Sequence, residues 1–166
     1  MSDYFPAFEI SPVPTPGPDA VAPEPFRGIY GMPMFVTVPT DDLAASVDFW
    51  VRGLGFFDLF FVPGQLTHLR RWAFQDVLLV AGERPDEPSS TTVSFSCVLG
   101  ETDPIAAACA ALVPGCVTGP RVMPWNSVEL EVRTPENLRV VMTAARPLDP
   151  HSPEAAHLRA IGIEAP

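Results

Sequence analysis

The segment His68-Leu69-Arg70-Arg71-Trp72-Ala73-Phe74 concentrates side chains that can stack, donate hydrogen bonds or titrate near neutrality. Alternation along a strand sends His68, Arg70, Trp72 and Phe74 to one face and leaves Leu69 and Ala73 to pack behind them. Such a set suits the gripping of a planar ring and a few polar groups of a small molecule. It suits nucleophilic catalysis poorly, because His68 has no Ser or Cys to activate and no carboxylate close to it in sequence. A second candidate is Glu129 and Glu131, which alternate with Val128, Leu130 and Val132 and so share a sheet face. Paired carboxylates can divide acid and base roles between them. A half-exposed strand also needs polar residues at those positions, and that is the commoner use. Cys97, Cys109 and Cys116 show no CxxC spacing and His68, His151 and His157 are scattered, so no zinc ligand set is visible. No Gly-rich phosphate loop follows any strand-like run.

The chain that must position these groups has 166 residues, 47% hydrophobic and 18% charged, enough for one packed domain and far from the composition of disorder. Its net charge is −10, and all ten basic residues are Arg. That balance disfavours nucleic acid, whose phosphates are bound by Lys and Arg. It leaves cationic partners or plain solubility as its use. No stretch approaches the roughly 18 apolar residues a membrane helix needs. The first 30 residues lack the apolar block of a signal peptide, so the expected location is the cytoplasm.

Prolines 6, 12, 14, 16, 18, 23 and 25 make residues 1–30 an extended arm rather than a helix or central strand. Tyr4, Phe5, Phe8, Ile10 and Phe26 give the arm apolar side chains to lay on a folded surface or on a partner subunit. Regular patterning begins near Pro33, and a domain is expected over residues 31–147, followed by a tail over 148–166 with a short helix from Ser152 to about Ala160. In the first half, Met34–Val38 reads as a strand closed by Pro39, and Thr40 or Asp41 caps a helix with apolar Leu43, Val47, Trp50 and Leu54. Gly53 and Gly55 end that helix, and strands follow at Phe56–Val62, Leu66–Phe74 and Val77–Ala81. After a charged linker over 84–90 the order restarts with strand Thr92–Val98, helix Asp103–Leu112, and strands Val117–Met123, Ser127–Val132 and Leu138–Thr143.

The restart is a duplication. Thr40-Asp41-Asp42-Leu43-Ala44-Ala45 aligns with Thr102-Asp103-Pro104-Ile105-Ala106-Ala107 at an offset of 62, which also sets Gly53 on Gly115. Two copies are too few for a solenoid and are expected to close one α+β domain: tandem βαβββ modules over 33–83 and 91–146 around a pseudo-symmetric curved-sheet cleft.

With these residues in place the sequence resembles the vicinal oxygen chelate superfamily of glyoxalases, extradiol dioxygenases, fosfomycin-modifying enzymes and bleomycin-resistance proteins. Asp42-Leu43-Ala44-Ala45-Ser46-Val47-Asp48-Phe49-Trp50, then Leu54-Gly55-Phe56, is similar to the family pattern DLxxSxxFY…LGF. Trp125–Val132 followed by Thr134-Pro135-Glu136-Asn137 resembles WGxxEFxVxDPDGN, with Asn126 and Thr134 in place of Gly and Asp. The resemblance implies four metal-ligand positions, which fall on Pro33, Leu79, Thr92 and Val140; shifting by one gives Met34, Leu78 or Val80, and Val141. Neither set can hold a divalent ion, so no metal and no cofactor are expected.

The cleft wall that the resemblance implies comprises Phe35, Thr37, Asp58, Phe60, His68, Arg70, Trp72 and Phe74 from the first module, with Leu79 filling a former ligand position. The second module is expected to add Thr92, Ser94, Ser96, Trp125, Ser127, Glu129, Leu138, Val140 and Met142; Trp50 belongs to the core, and a closed core is the alternative place for Trp72 and Trp125. The expected function is sequestration of an antibiotic-like, partly aromatic small molecule, with room for a cationic portion, by a homodimer, as in the bleomycin-resistance branch. The alternatives are a lyase, isomerase or dioxygenase of the same fold, and an accessory protein of natural-product biosynthesis that uses its arm to engage a partner.

Overall fold

Thr40 and Asp42 start the first helix together. The Thr40 hydroxyl accepts the Asp42 N–H at 3.1 Å and pairs with Ser46 at 2.6 Å, while the Asp42 carboxylate accepts the Ala45 N–H at 3.0 Å. Asp42, rather than Thr40 or Asp41, is therefore the cap. In the computed structural model, which describes residues 13–163, helix α1 (Leu43–Asp48) runs on into a wider π-type turn over Phe49–Gly53. The arm residues Tyr4, Phe5, Phe8 and Ile10 lie outside the described residues. Gly55, at φ +76°, reverses the chain into strand β2.

Strands β1 (Phe35–Thr40), β2 (Phe57–Val62), β3 (Leu66–Arg70) and β4 (Asp76–Ala81) form a sheet in the order β1-β4-β3-β2, with β1 parallel to β4. Strands β5 (Thr92–Cys97), β6 (Val117–Val122), β7 (Ser127–Arg133) and β8 (Arg139–Ala145) repeat the arrangement as β5-β8-β7-β6, with helix α2 (Thr102–Leu112) in the place of α1. The first strand after each helix carries an irregularity, between Asp58 and Phe60 in one module and between Thr118 and Arg121 in the other. The duplication read from the sequence is thus a duplication of topology. Strand bounds shift from expectation by one or two residues in most strands, and two of the differences have a clear physical cause. Strand β1 runs through Pro39, which an edge strand tolerates because one row of its backbone groups needs no partner. Strand β3 stops at Arg70, and Arg71–Gln75 turn instead, with the Arg71 N–H bonded to the Gln75 carbonyl at 3.1 Å and Phe74 at φ +69°.

The pleat decides which side chains meet the helices. Val38, Leu69, Val77 and Leu79 face them in the first sheet; Phe95, Leu130, Val132, Val140, Met142 and Ala144 do so in the second. Trp50 joins the two sets. It is fully buried, meets Phe56 and Phe95 edge-on at 5.1 and 6.2 Å, and donates its indole N–H to Glu136 at 3.2 Å. Gly53 lets the helices approach: a Cβ there would stand 3.0 Å from the Cys109 sulfur. Its role is this contact, and the helix-ending conformation belongs to Gly55 and Gly115. Arg71 adds a polar tie across the modules, donating to the Ser96 carbonyl and pairing with Glu101 at 2.7 Å. The modules therefore share one core on their helix sides, and the opposite sheet faces point away from it.

The linker is anchored as well, since the Asn137 amide donates to the Pro85 carbonyl at 2.7 Å. Helix α3 (Pro153–Ala160) begins at Ser152, whose hydroxyl accepts the Ala155 N–H at 3.1 Å. Among the described residues no helix is long and apolar enough to cross a membrane.

Replacing Trp50 by Ala is expected to cost about 3–5 kcal/mol, the range for large core truncations, measured by urea unfolding. Burial pushes the Cys97 and Cys109 thiols up to about 12. Both should resist iodoacetamide at pH 8 in the native protein and react fully in urea, as read by mass spectrometry.

Candidate functional site

The hairpin register sets Arg70 across from Asp76 and His68 across from Leu78, all on the face turned away from the core. Asp76 becomes the hub of that face. Its Oδ1 accepts from His68 Nε2 and Arg70 Nε, each at 2.7 Å, and its Oδ2 accepts from the Tyr30 hydroxyl at 2.8 Å. Arg70 and Asp76 are completely buried and His68 is nearly so. The lid over them is the arm: Phe26 and Gly28 present their carbonyls to Arg70 Nη1 at 3.0 and 2.7 Å. The Tyr30 ring lies 4.3 Å from the guanidinium carbon, and Arg27 sits 4.4 Å over Phe57. Phe60 meets the His68 ring edge-on at 5.7 Å and remains half exposed, as does Phe35. Thr37 also lies on this face, exposed, on the edge strand.

The second sheet's open face is more polar. Trp125, 51% exposed, donates its indole N–H to Glu129 at 2.7 Å, and Ser127 donates to the same oxygen at 3.1 Å. Glu131 pairs with Arg139 at 2.6 Å, and the Arg139 hydrogen bond holds its carboxyl below the usual range. Neither carboxylate is left free for proton transfer, so the pair reads as polar scaffolding for the exposed indole. Thr92 and Ser94 line the same face, exposed, on β5.

Several expected positions fall elsewhere. Leu79, Val140 and Met142 are fully buried in the core; their neighbours Leu78, Val141 and Thr143 take the open faces. The β8 parity differs from expectation because the pairing begins at Arg139 opposite Thr92. Asp58 lies opposite Leu69 and thus on the helix side, where it edges a groove of about 720 Å³ with Leu43, Val47 and Val51. Trp72, beyond the end of β3, is buried with the Arg71 guanidinium 4.8 Å over its ring. Phe74 is half exposed on the turn, edge-on to Tyr30 at 5.7 Å, with its N–H bonded to the Tyr30 oxygen at 2.8 Å. Asp76, expected only as an acidic group for a cationic ligand, is instead the partner of Arg70, His68 and Tyr30, and Tyr30 and the Phe26 and Gly28 carbonyls are additions to the expected site. Counting residues outward from the hairpin turn pairs Arg70 with Asp76, whereas no local signal reports the arm's contacts.

No protein-family model matches the chain, and no curated protein matches it in sequence. Solved structures do. An integron cassette protein from the Halifax Harbour sewage-outfall metagenome is 23% identical, with a TM-score of 0.55, over 70% of this chain and 99% of its own. The fosfomycin resistance protein FosX of Listeria monocytogenes is 17% identical, with a TM-score of 0.56, over 74% and 96%. The bleomycin resistance determinant of transposon Tn5 is 17% identical, with a TM-score of 0.51, over 68% and 96%.

The chain has the vicinal oxygen chelate fold. The Listeria FosX has been solved with Mn(II), which raises the question of whether this chain's residues fit a metal. Of the expected ligand positions and their shifted alternatives, those on or beside the open faces are Pro33, Leu78, Thr92 and Val141, and the side chains of three of the four offer no lone pair to an ion. Both oxygens of Asp76 are already committed to protein donors. Among the described residues no three His, Cys, Asp or Glu side chains gather as ligands. The donor set does not fit a divalent ion.

Replacing Asp76 by Ala leaves Arg70 buried without its anion and is expected to cost about 3–5 kcal/mol, read by urea unfolding. Burial and the bond to Asp76 raise the Tyr30 hydroxyl above its ordinary 10.0. Its contribution to arm docking is therefore complete below pH 10 and lost as pH rises beyond it. Absorbance at 295 nm should show a late tyrosine ionisation that Tyr30→Phe removes.

Proposed function

We propose that this chain binds a partly aromatic small molecule stoichiometrically on the open faces of its sheets and acts by sequestration. The observation that carries the reading is the half-exposed Trp125 indole. Glu129 holds it in place on a face that also carries Thr92 and Val141. A fixed, exposed indole is a stacking platform, and the hydroxyls of Thr92 and Ser94 on the same face supply hydrogen bonds. The Tn5 bleomycin resistance determinant, a protein of this fold, supports an antibiotic-like ligand. A homodimer, in which a second copy covers the open faces, belongs to the same reading. The half-exposed Phe35 and Phe60 are side chains that such a cover would bury.

A second reading, a metal-independent enzyme, rests on the His68–Asp76 pair, in which a carboxylate orients an imidazole as in a general base. The likeness in fold to FosX accompanies it.

Native mass spectrometry with bleomycin-type, thiopeptide and polyketide antibiotics separates the two. Sequestration predicts a complex at the ligand's unchanged mass, weakened about tenfold by Trp125→Ala and untouched by His68→Gln. Release of the ligand at altered mass, abolished by His68→Gln, would establish the enzyme instead.

A further inference from the structure

Arg70 is more heavily invested than a structural ion pair requires. Its Nε satisfies Asp76, which leaves the planar fork of Nη1 and Nη2. The arm answers that fork incompletely. Both carbonyls, Phe26 at 3.0 Å and Gly28 at 2.7 Å, fall on Nη1, while Nη2 is buried with no hydrogen-bond partner. An unpaired buried donor of this kind is costly. One planar group with two oxygens at carboxylate spacing would serve both nitrogens, the bidentate match that guanidinium makes best.

The arm also supplies rings. Tyr30 and Phe26 lie 4.3 and 5.7 Å from the guanidinium carbon, so an aromatic face already covers the charge. Two acceptor oxygens and stacked rings are what an aromatic carboxylate would bring to the same place. The arm itself is lightly held. Residues 21–30 form no helix or strand, and Phe26 is 48% and Ile29 78% exposed. Apart from the Arg70 contacts, the hydrogen bonds and ring contacts of residues 26–30 with the sheet and its turn are Tyr30 with Asp76 and Phe74, and Arg27 over Phe57.

We propose that Phe26–Tyr30 occupy, in cis, the binding site of an aromatic carboxylate, and that the ligand enters by displacing the arm from Arg70. The inference rests on the binding reading above and specifies a group the ligand must carry. The carboxylate adds one negative charge beside Asp76, which Arg70 already balances, so its bidentate bonds have to outweigh that repulsion. Arg70 and Asp76 stay paired through Nε, and the incoming carboxylate exchanges two neutral carbonyls on Nη1 for charge-assisted bonds to both nitrogens.

The test uses 2-naphthoate as probe, titrated calorimetrically into the full chain, the Phe26→Ala/Tyr30→Phe double variant and Arg70→Lys. Hydrogen exchange of residues 26–31 is followed in parallel. Naphthoate is expected to bind the double variant about tenfold more tightly than the parent, to lose at least tenfold with Arg70→Lys, and to accelerate exchange of the arm in the parent. The neutral analogue 2-naphthalenemethanol should do none of this. Absence of binding, equal affinity for parent and double variant, or an alcohol as effective as the carboxylate would overturn the proposal. Should Arg70→Lys fail to fold, the double variant and the exchange data decide alone. Binding that depends on Trp125 but leaves the arm in place would refute the displaced arm and leave sequestration standing. An arm displaced by naphthoate with no antibiotic retained would do the reverse.

Discussion

A guanidinium cannot stay on a buried sheet face without an anion, and Asp76 is the anion that Arg70 has. That pairing orders its surroundings. With Oδ1 taken by Arg70 and His68, Oδ2 is left to hold Tyr30, and Tyr30 in turn holds the Phe74 N–H on the turn that ends β3. The arm, the hairpin and the turn thus depend on one carboxylate. The contrast with Trp50 is instructive. Trp50 and Glu136 hold the modules together from the helix side, where burial of rings is the dominant gain, whereas Asp76 organises the outer face through directed bonds.

Much of this was legible in the sequence, because period-two and period-3.6 patterns report which face is buried. Leu43, Val47 and Trp50 marked α1, and Glu129 and Glu131 fell on one face as alternation requires. The repeat was legible because its capping residues and closing glycines recur in order. What failed failed at strand ends. Nothing in Trp72-Ala73-Phe74 announces that Phe74 takes a positive φ in the turn that ends the strand at Arg70 and leaves Trp72 buried. In β8 a run of apolar residues hides its own parity, and only the partner strand's register shows that Val141, not Met142, faces outward. The arm's grip on Arg70 spans 44 and 42 residues, and no local pattern reports contacts of that range.

The two modules have kept one topology while their open faces have diverged. One carries a buried charged hub roofed by the chain's own arm; the other carries hydroxyls and a half-exposed indole. Aliphatic side chains at Leu78 and Val141 remove the lone pairs through which two such faces could share a metal. The two faces therefore offer different chemistry, a buried ion pair with directed bonds on one and hydroxyls beside an indole on the other.

Pro39 has a consequence for how such molecules can meet. It lies in β1, an outer strand of the first sheet, and Pro120 lies in β6, an outer strand of the second. A proline offers no N–H, so a strand arriving at either margin would find a rung missing from the ladder. Strand-by-strand polymerisation is thereby discouraged on one side of each sheet, in a chain with aromatic side chains exposed at Phe60 and Phe61. A strand that joined either sheet would have to use the opposite margin, β2 in the first and β5 in the second.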